Sequence, residues 1–301
     1  MMMTQKQKCS ASYDITQSVL YKLHSKRKLS EILGLPLNII KTCTNDFYYS
    51  CFDLIQDDKV RSIQQPIDQL FIIHQRIASL LSRITHPDYL HSGRKKHSII
   101  TNSSQHLMSD KRTLTLDIEN FFPSTCRAKV FQLFKKVFNQ SSDVADLLSY
   151  LLTFNNHVPT GSPVSMSLAF WANKMLFDEL YSFSKNRNTI MTVYVDDLTF
   201  TGSGVNKNFL KNSEKIIEKY GLKVKKSKVF IYKENQAKFI TGTVIKNNKL
   251  DAVFKQFKGL RVAEDLFLKE QNNEVYRKSY NGRIAFLSQI KPNLKIKMCF
   301  K

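Results

Sequence analysis

Apolar residues at 67, 70, 73, 77, 80, 81 and 84 recur every three or four positions and predict an amphipathic helix over Ile67 to Ile84. Residues 13–45 also read as helical, with Ser30 as a cap before Ile32 and Leu33. From Phe47 to Ile63 the β-formers Tyr, Phe, Ile and Val flank Gln56-Asp57-Asp58-Lys59, the pattern of two strands joined by a turn. Thr113 to Ile118 alternates: Leu114, Leu116 and Ile118 face one way, Thr113, Thr115 and Asp117 the other. Val164 to Phe183 is long and mostly apolar, which predicts a buried helix, and Thr189 to Thr201 reads as two strands bracketing Asp196-Asp197. A Lys-rich amphipathic helix over 205–220 follows, then strands over 227–232 and 238–245 and a helical, basic remainder. Strand, helix, helix, hairpin, helix, strand is the order of a split βαβ arrangement, so the predicted class is α+β. No repeat or low-complexity linker interrupts the 301 residues, which predicts pieces packed as one body.

Charge changes this picture. The chain carries 46 Lys and Arg against 25 Asp and Glu, a net +21, and the surplus is uneven: Ser203 to Lys301 holds 23 basic and 8 acidic residues, +15 of the total. So large and localised an excess points to a phosphate backbone, whose condensed counterions are released as each phosphate is neutralised. A merely solvated surface and an anionic lipid partner are the competing accounts. No apolar run approaches the roughly 18 residues of a spanning helix, and the polar stretch from Thr4 to Ser10 lacks the apolar core of a signal peptide. A cytoplasmic chain with no membrane partner is the expectation. Cys9, Cys43, Cys51, Cys126 and Cys299 are odd in number and never spaced CxxC, as in a reduced chain without structural zinc. His86, His91, His97 and His106 have no cysteine or acid beside them at ligand spacing.

The chemistry-bearing residues are acids. Tyr194-Val195-Asp196-Asp197 places two carboxylates at the turn of an otherwise apolar hairpin; taken alone, this is either a site or an ordinary Asp-containing turn. Asp117 adds a third acid on the polar face of another predicted strand, where solvation is the simpler account. Together the three make a physical proposal. Magnesium takes one or two carboxylates plus substrate phosphates, and two ions about 4 Å apart can hold the attacking and leaving oxygens of an in-line phosphoryl displacement.

The segments LDIENFFPS (116–124), VPTGSPVSM (158–166) and YVDD (194–197) resemble the consecutive palm motifs of reverse transcriptases, in order and at ordinary spacing. The resemblance implies a right-handed fingers–palm–thumb polymerase with a ferredoxin-like palm and a helical, basic thumb. Its implied division is an N-terminal helical segment over 1–46, fingers over 47–110, a palm with fingers-linked elements over 111–245, and a thumb and RNA-recognition region over 246–301. Asp117 and Asp196 would bind two Mg2+ ions with Asp197 in support. Phe122 falls where the family has an aromatic gate against a ribose 2′-OH, and core packing is its other reading. Gly161 and Pro163 match the segment under the template–primer, where glycine permits close backbone approach. Lys59 and Arg61 resemble the fingers residues that hold the incoming dNTP, and Lys228 the lysine near the leaving pyrophosphate; basic residues on exposed turns are common in any case.

Two more segments resemble bacterial retron enzymes: SIITNSSQH (98–106), through Asn102 and His106, and FITGTVI (239–245), through Thr241 and Gly242. Asn102 as a helix cap and Thr241-Gly242 as a strand irregularity are the plainer readings. The retron resemblance covers roughly residues 45–290. It implies a cognate structured noncoding RNA that is both template and primer, a guanosine 2′-hydroxyl that primes synthesis, a single-stranded DNA product on a branched RNA–DNA molecule, an effector protein and a role in anti-phage defence. It also leaves no segment for an RNase H, integrase or maturase domain. Ser103, Thr160, Met166, Val195 and Ile240 depart from the family's commonest residues and put the subtype and the template contacts in question. The alternatives are a group II intron, diversity-generating or abortive-infection reverse transcriptase, and an RNA-binding scaffold that restrains a toxin without polymerising.

Overall fold

The structure, a computed structural model, describes residues 12–56 and 59–292. In chain order it contains α1 (Lys26–Leu33), α2 (Leu37–Thr42), β1 (Tyr49–Gln56), β2 (Lys59–Pro66), α3 (Asp68–Leu81), α4 (Ile99–Ser104), β3 (Thr113–Asp117), α5 (Phe121–Ser124), α6 (Arg127–Gln132), α7 (Ser142–Leu151), α8 (Ser165–Ala172) and α9 (Lys174–Lys185). Then come β4 (Thr189–Tyr194), β5 (Asp197–Gly202), α10 (Lys207–Lys219), β6 (Phe230–Tyr232), β7 (Lys238–Ile240), β8 (Thr243–Lys246), β9 (Lys249–Ala252), α11 (Phe254–Lys269) and α12 (Glu274–Ile290). The single body expected from the sequence resolves into two compact units, each assembled from separated stretches. The first runs to Asp88 and includes Ile118–Glu179 and Ile216–Lys223; the second comprises Tyr89–Asp117, Leu180–Lys215 and the chain from Val224 onward.

In the first unit the predicted helix over 67–84 is α3, and its stripe Leu70, Ile73, Ile77, Leu80 and Leu81 is buried. The predicted hairpin is β1 paired with β2 from Tyr49–Pro66 to Gln56–Lys59; Asp57 and Asp58 lie outside the described residues. The 13–45 region is helical as expected, in α1 and α2, but two expectations need correction. Ser25, not Ser30, caps α1: its Oγ accepts from Lys28 N–H, while Ser30 sits inside the helix and donates to the Leu35 carbonyl. Gly34 in the left-handed region then ends α1. The long helix over 164–183 is broken at Asn173, whose backbone leaves helical geometry. Its Nδ2 donates to the Thr125 hydroxyl and its Oδ1 accepts from Lys129 Nζ, so an interior polar partner outcompetes helix continuity.

The second unit is built on a four-stranded sheet in the order β4-β5-β3-β6, with β5 and β6 both antiparallel to β3. That is the strand order of a ferredoxin-like palm. Leu114, Leu116, Met191, Val193, Leu198 and Phe200 are buried on its apolar face, where Phe200 meets Phe209 at 5.3 Å and Phe209 meets Phe183 at 4.8 Å. On the opposite, polar face Thr113, Thr192, Thr199 and Thr201 are buried as well, because β3 is a central strand and the segment carrying His106 covers that end of the sheet. The strand expected over 238–245 is a hairpin, β7 and β8, turning at Thr241 (φ 40°) and Gly242 (φ 81°); positive φ at both central residues is the form that follows strand twist. The 227–232 strand is reduced to β6 after a helical turn at Lys226–Lys228, and the remainder opens with β9 before it becomes helical. There α11 and α12 pack through Leu260, Ala263, Phe267, Tyr280, Ile284 and Leu287.

Candidate active site

The acid cluster belongs wholly to the second unit. Asp117 ends β3 directly opposite Asp197, the first residue of β5, and Asp196 occupies the β4–β5 turn closed by the Tyr194–Asp197 pair. Strand register thus places all three carboxylates at one end of the polar face, with ligand oxygens within 4.8 Å of one another. It is the one cluster of three or more metal-ligand side chains among the described residues. Asp117 is 4% exposed and Asp197 half-buried. Burial, then the charges of Asp196 and Asp117, push the Asp197 carboxyl up to about 7, against the opposing pull of Lys228. Lys228 forms an ion pair with Asp117. Lys225 N–H bonds the Asp117 carbonyl at 2.9 Å, and the helical turn after it carries Lys228 to the carboxylate. Partial burial disfavours the Lys228 charge, but the bond to Asp117 and the charges of all three acids outweigh it and raise its pKa.

The turn itself is strained. Val195 has φ 60°, a conformation that suits glycine and costs a β-branched residue about 1–3 kcal/mol.

Below the acids the same face continues as a row of threonines ending at His106. His106 is fully buried, with Nδ1 2.9 Å from the Thr201 hydroxyl and Nε2 2.8 Å from that of Thr192; Thr201 also meets Thr113 at 2.8 Å. Burial, helped by nearby His91 and Lys238, depresses its pKa to about 3, so it is neutral. The ring therefore ties β4 to β5, and its burial leaves it no surface for RNA.

The two retron-like segments meet. Asn102 Nδ2 donates to the Thr241 hydroxyl at 2.8 Å, and Ser103 Oγ donates to the Ile240 carbonyl at 3.1 Å and lies 2.7 Å from Thr243 Oγ1. Asn102, 1% exposed, is inside α4 and does not cap it; Ser98 does, with Thr101 completing the capping box. The departure Ser103 thus serves the same junction. Gly242 passes the link on, its carbonyl accepting from Gln256 of α11 at 2.9 Å. Thr241 and Gly242 line a cleft of about 370 Å³ together with Tyr194, Asp197, Thr199, Lys228, Phe230 and Phe239.

The other candidates lie in the first unit. Gly161 needs to be glycine for an internal reason: a Cβ there would stand 2.6 Å from Ile63 Cγ2 and 2.9 Å from the Gln64 carbonyl oxygen. Thr160 explains its own departure by donating from N–H to Gln64 Oε1 and from Oγ1 to the Ser62 carbonyl. Pro163 is exposed. Phe121, not Phe122, fills the core, packing on Phe177 at 6.1 Å; Phe122 is half-buried with its ring 5.8 Å from that of Phe121. Arg61 is exposed on β2, and the Lys59 side chain lies outside the described residues. Sequence reasoning missed His74, which is buried: Nε2 donates to the Leu151 carbonyl, so Nδ1 accepts from the Ser162 hydroxyl and holds the loop between Gly161 and Pro163. It also missed Lys238, buried with its ammonium on the Met108 and Lys111 carbonyls. Neither residue stands in a motif; only burial distinguishes them.

No protein-family model matches the chain. Among solved structures, telomerase from Candida albicans, in complex with a fragment of telomeric RNA, superposes with TM-score 0.51 at 11% identity over 79% of this chain and 52% of that one. Apo telomerase from Candida tropicalis gives TM-score 0.51 at 11% identity over 80% and 58%. The chain thus spans little more than half the length of either telomerase, and the likeness is one of fold alone, an α+β polymerase fold. Among sequences, the chain is 26% identical to the Ec86 retron reverse transcriptase of Escherichia coli over 81% of its own length and 77% of the relative's. It is 26% identical to the Se72 enzyme of Salmonella heidelberg over 87% and 74%, and 24% identical to the Mx65 enzyme of Myxococcus xanthus over 77% and 59%. Over most of its length the chain is thus similar to retron reverse transcriptases, and this likeness supports RNA-directed DNA polymerase activity.

Proposed function

We propose that this polymerase copies a structured noncoding RNA into single-stranded DNA, joining the first deoxynucleotide to a 2′-hydroxyl of that RNA and so producing a branched RNA–DNA molecule. The observation that carries the reading is the shared cleft: the Thr241-Gly242 turn, braced by Asn102, forms one wall and Asp197 with Lys228 another. A reactive hydroxyl has to be held at the acids by something that reads RNA shape and 2′-OH groups, and this turn stands beside them. Asn102 and His106, both buried, act by bracing rather than by touching RNA.

In this reading Asp117, Asp196 and Asp197 hold two Mg2+ ions. The residues fit such a group: three hard oxygen donors converge, and although Lys228 pairs with Asp117 the Asp197 carboxyl is still pushed up to about 7. Ions held by these carboxylates would supply positive charge for the phosphoryl displacement. Lys228 offers a cation to the leaving pyrophosphate, Phe122 screens the sugar of the incoming dNTP, Lys59 and Arg61 hold its triphosphate, and the loop of Gly161 and Pro163 supports the template–primer. Residues 47–110 would then be fingers, 111–245 palm and 246–301 a basic thumb that grips RNA phosphates, following the N-terminal segment 1–46. A cytoplasmic setting, an effector protein and a defence role complete the proposal; the retron-type resemblance is their support. Among the described residues no helix is long and apolar enough to cross a membrane.

The test is to express the protein with its neighbouring noncoding RNA and sequence the nucleic acid that copurifies. Single-stranded DNA of defined length, released from RNA by debranching of a 2′–5′ linkage, is the expected product. DNA that begins at an ordinary 3′-hydroxyl primer would refute the priming assignment.

A further inference from the structure

The strained turn that carries Asp196 has a brace outside every polymerase motif. Segment Tyr89 to Ser92 runs beside β4, the outer strand of the sheet, in parallel: Val193 N–H donates to the Tyr89 carbonyl at 2.8 Å, and His91 N–H donates to the Val193 carbonyl at 2.9 Å. The next residue, Ser92, is buried and reaches past the end of that pairing. Its Oγ accepts the Val195 N–H at 2.9 Å. Gly93, at φ 66°, then turns the chain away, and Arg94 closes the turn by donating from Nη1 to the Leu90 carbonyl.

Val195 is the first central residue of a two-residue turn and has positive φ, a position that glycine ordinarily takes. A valine stays there only if its surroundings fix the peptide plane. A hydrogen bond to its N–H does so, because that N–H lies in the plane joining Tyr194 to Val195. Rotation of this plane would carry Asp196 away from Asp117 and Asp197. We propose that Ser92 is a positioning residue of the reverse transcriptase reaction: it holds the Val195 peptide so that the Asp196 carboxylate stays in register with its two partners.

The inference rests on the assignment of the three acids as the catalytic cluster, and the experiment separates the two. Primer extension on a supplied template is measured for the full chain, Ser92→Ala, Ser92→Thr, Ser92→Ala/Val195→Gly and Asp196→Asn, against Mg2+ concentration and dNTP concentration, with melting temperatures alongside. Ser92→Ala should lower kcat about ten-fold and raise the half-saturating Mg2+ concentration, leaving KM for dNTP unchanged. Ser92→Thr, which keeps the acceptor, should behave like the parent. The added Val195→Gly should recover much of the loss, because glycine holds positive φ without a brace. If Ser92→Ala does not fold, Ser92→Cys, with its weak sulfur acceptor, carries the same Mg2+ titration. Parental kcat and Mg2+ dependence in the alanine or cysteine variant, with Asp196→Asn inactive, would overturn the role of Ser92 and leave the acids in place. An equal loss at every Mg2+ concentration that Val195→Gly does not recover would also overturn it. An active Asp196→Asn would remove the catalytic assignment itself.

Discussion

The acid face of the palm-like sheet and the β1–β2 hairpin with its glycine loop solve opposite problems. On the sheet, polar groups answer one another and most are buried: Asp117 with the exposed Lys228, Thr113 with Thr201, and Thr201 and Thr192 with His106. On the hairpin, large apolar side chains stand in solvent, Ile55 at 75% exposed and Val60 at 66%, and Arg61 is exposed among them. The sheet is therefore organised before any substrate arrives, at the cost of crowding three acids. The hairpin spends little on organising itself, and its fixed part is the base, where Gly161 and Thr160 lock onto Gln64 and Ser62. In the proposed reading the sheet does the chemistry and the hairpin captures substrate, and these two tasks make different demands on burial.

The sharpest way to break the sheet side is His106→Ala. It opens a cavity and leaves buried hydroxyls short of a partner, for an expected loss of about 3 kcal/mol in urea unfolding. The same residue sets a pH signature. Its pKa is about 3 when folded against 6.5 in the unfolded chain, so on acidification the unfolded chain takes up the proton first. The stability it contributes is intact above about pH 6.5 and is lost as pH falls toward 3. His74, held to about 4, acts in the same direction in the other unit. His106→Gln should flatten the pH dependence of unfolding over that window; an unchanged profile would contradict the buried neutral ring.

The matching test on the hairpin side is Gly161→Ala. The added methyl meets Ile63 and the Gln64 carbonyl oxygen, and about 1–3 kcal/mol of stability should be lost. A neutral substitution would mean that the glycine answers to template alone. Phe122→Ala should have the smallest effect on stability, below the roughly 3–5 kcal/mol of a fully buried phenylalanine, because Phe121 holds the core position. Its expected effect is on chemistry: a higher ratio of ribonucleotide to deoxyribonucleotide incorporation. Unchanged discrimination in a folded variant would remove the gate.

The strands and the acids were legible because they rest on local pattern: alternation in 113–118, an apolar hairpin around 196–197, a helical stripe in 67–84. What escaped depends on partners far along the chain. Nothing near Asn173 announces that Thr125 and Lys129 will break a helix there. Ser30 looked like a cap because it precedes apolar residues, but Ser25 is the residue whose backbone stays extended. The meeting of Asn102 with Thr241 spans 139 residues, and periodicity cannot report it. The motif resemblance brought both residues forward, yet as RNA readers, whereas burial makes Asn102 a brace.

The account turns on the three acids as the polymerising centre, and primer extension by Asp196→Asn on a supplied RNA template tests this most directly. With the melting temperature unchanged, extension should fall at least about 1,000-fold, the equivalent of roughly 4 kcal/mol of transition-state stabilisation. Extension at the parental rate by this variant would contradict the account.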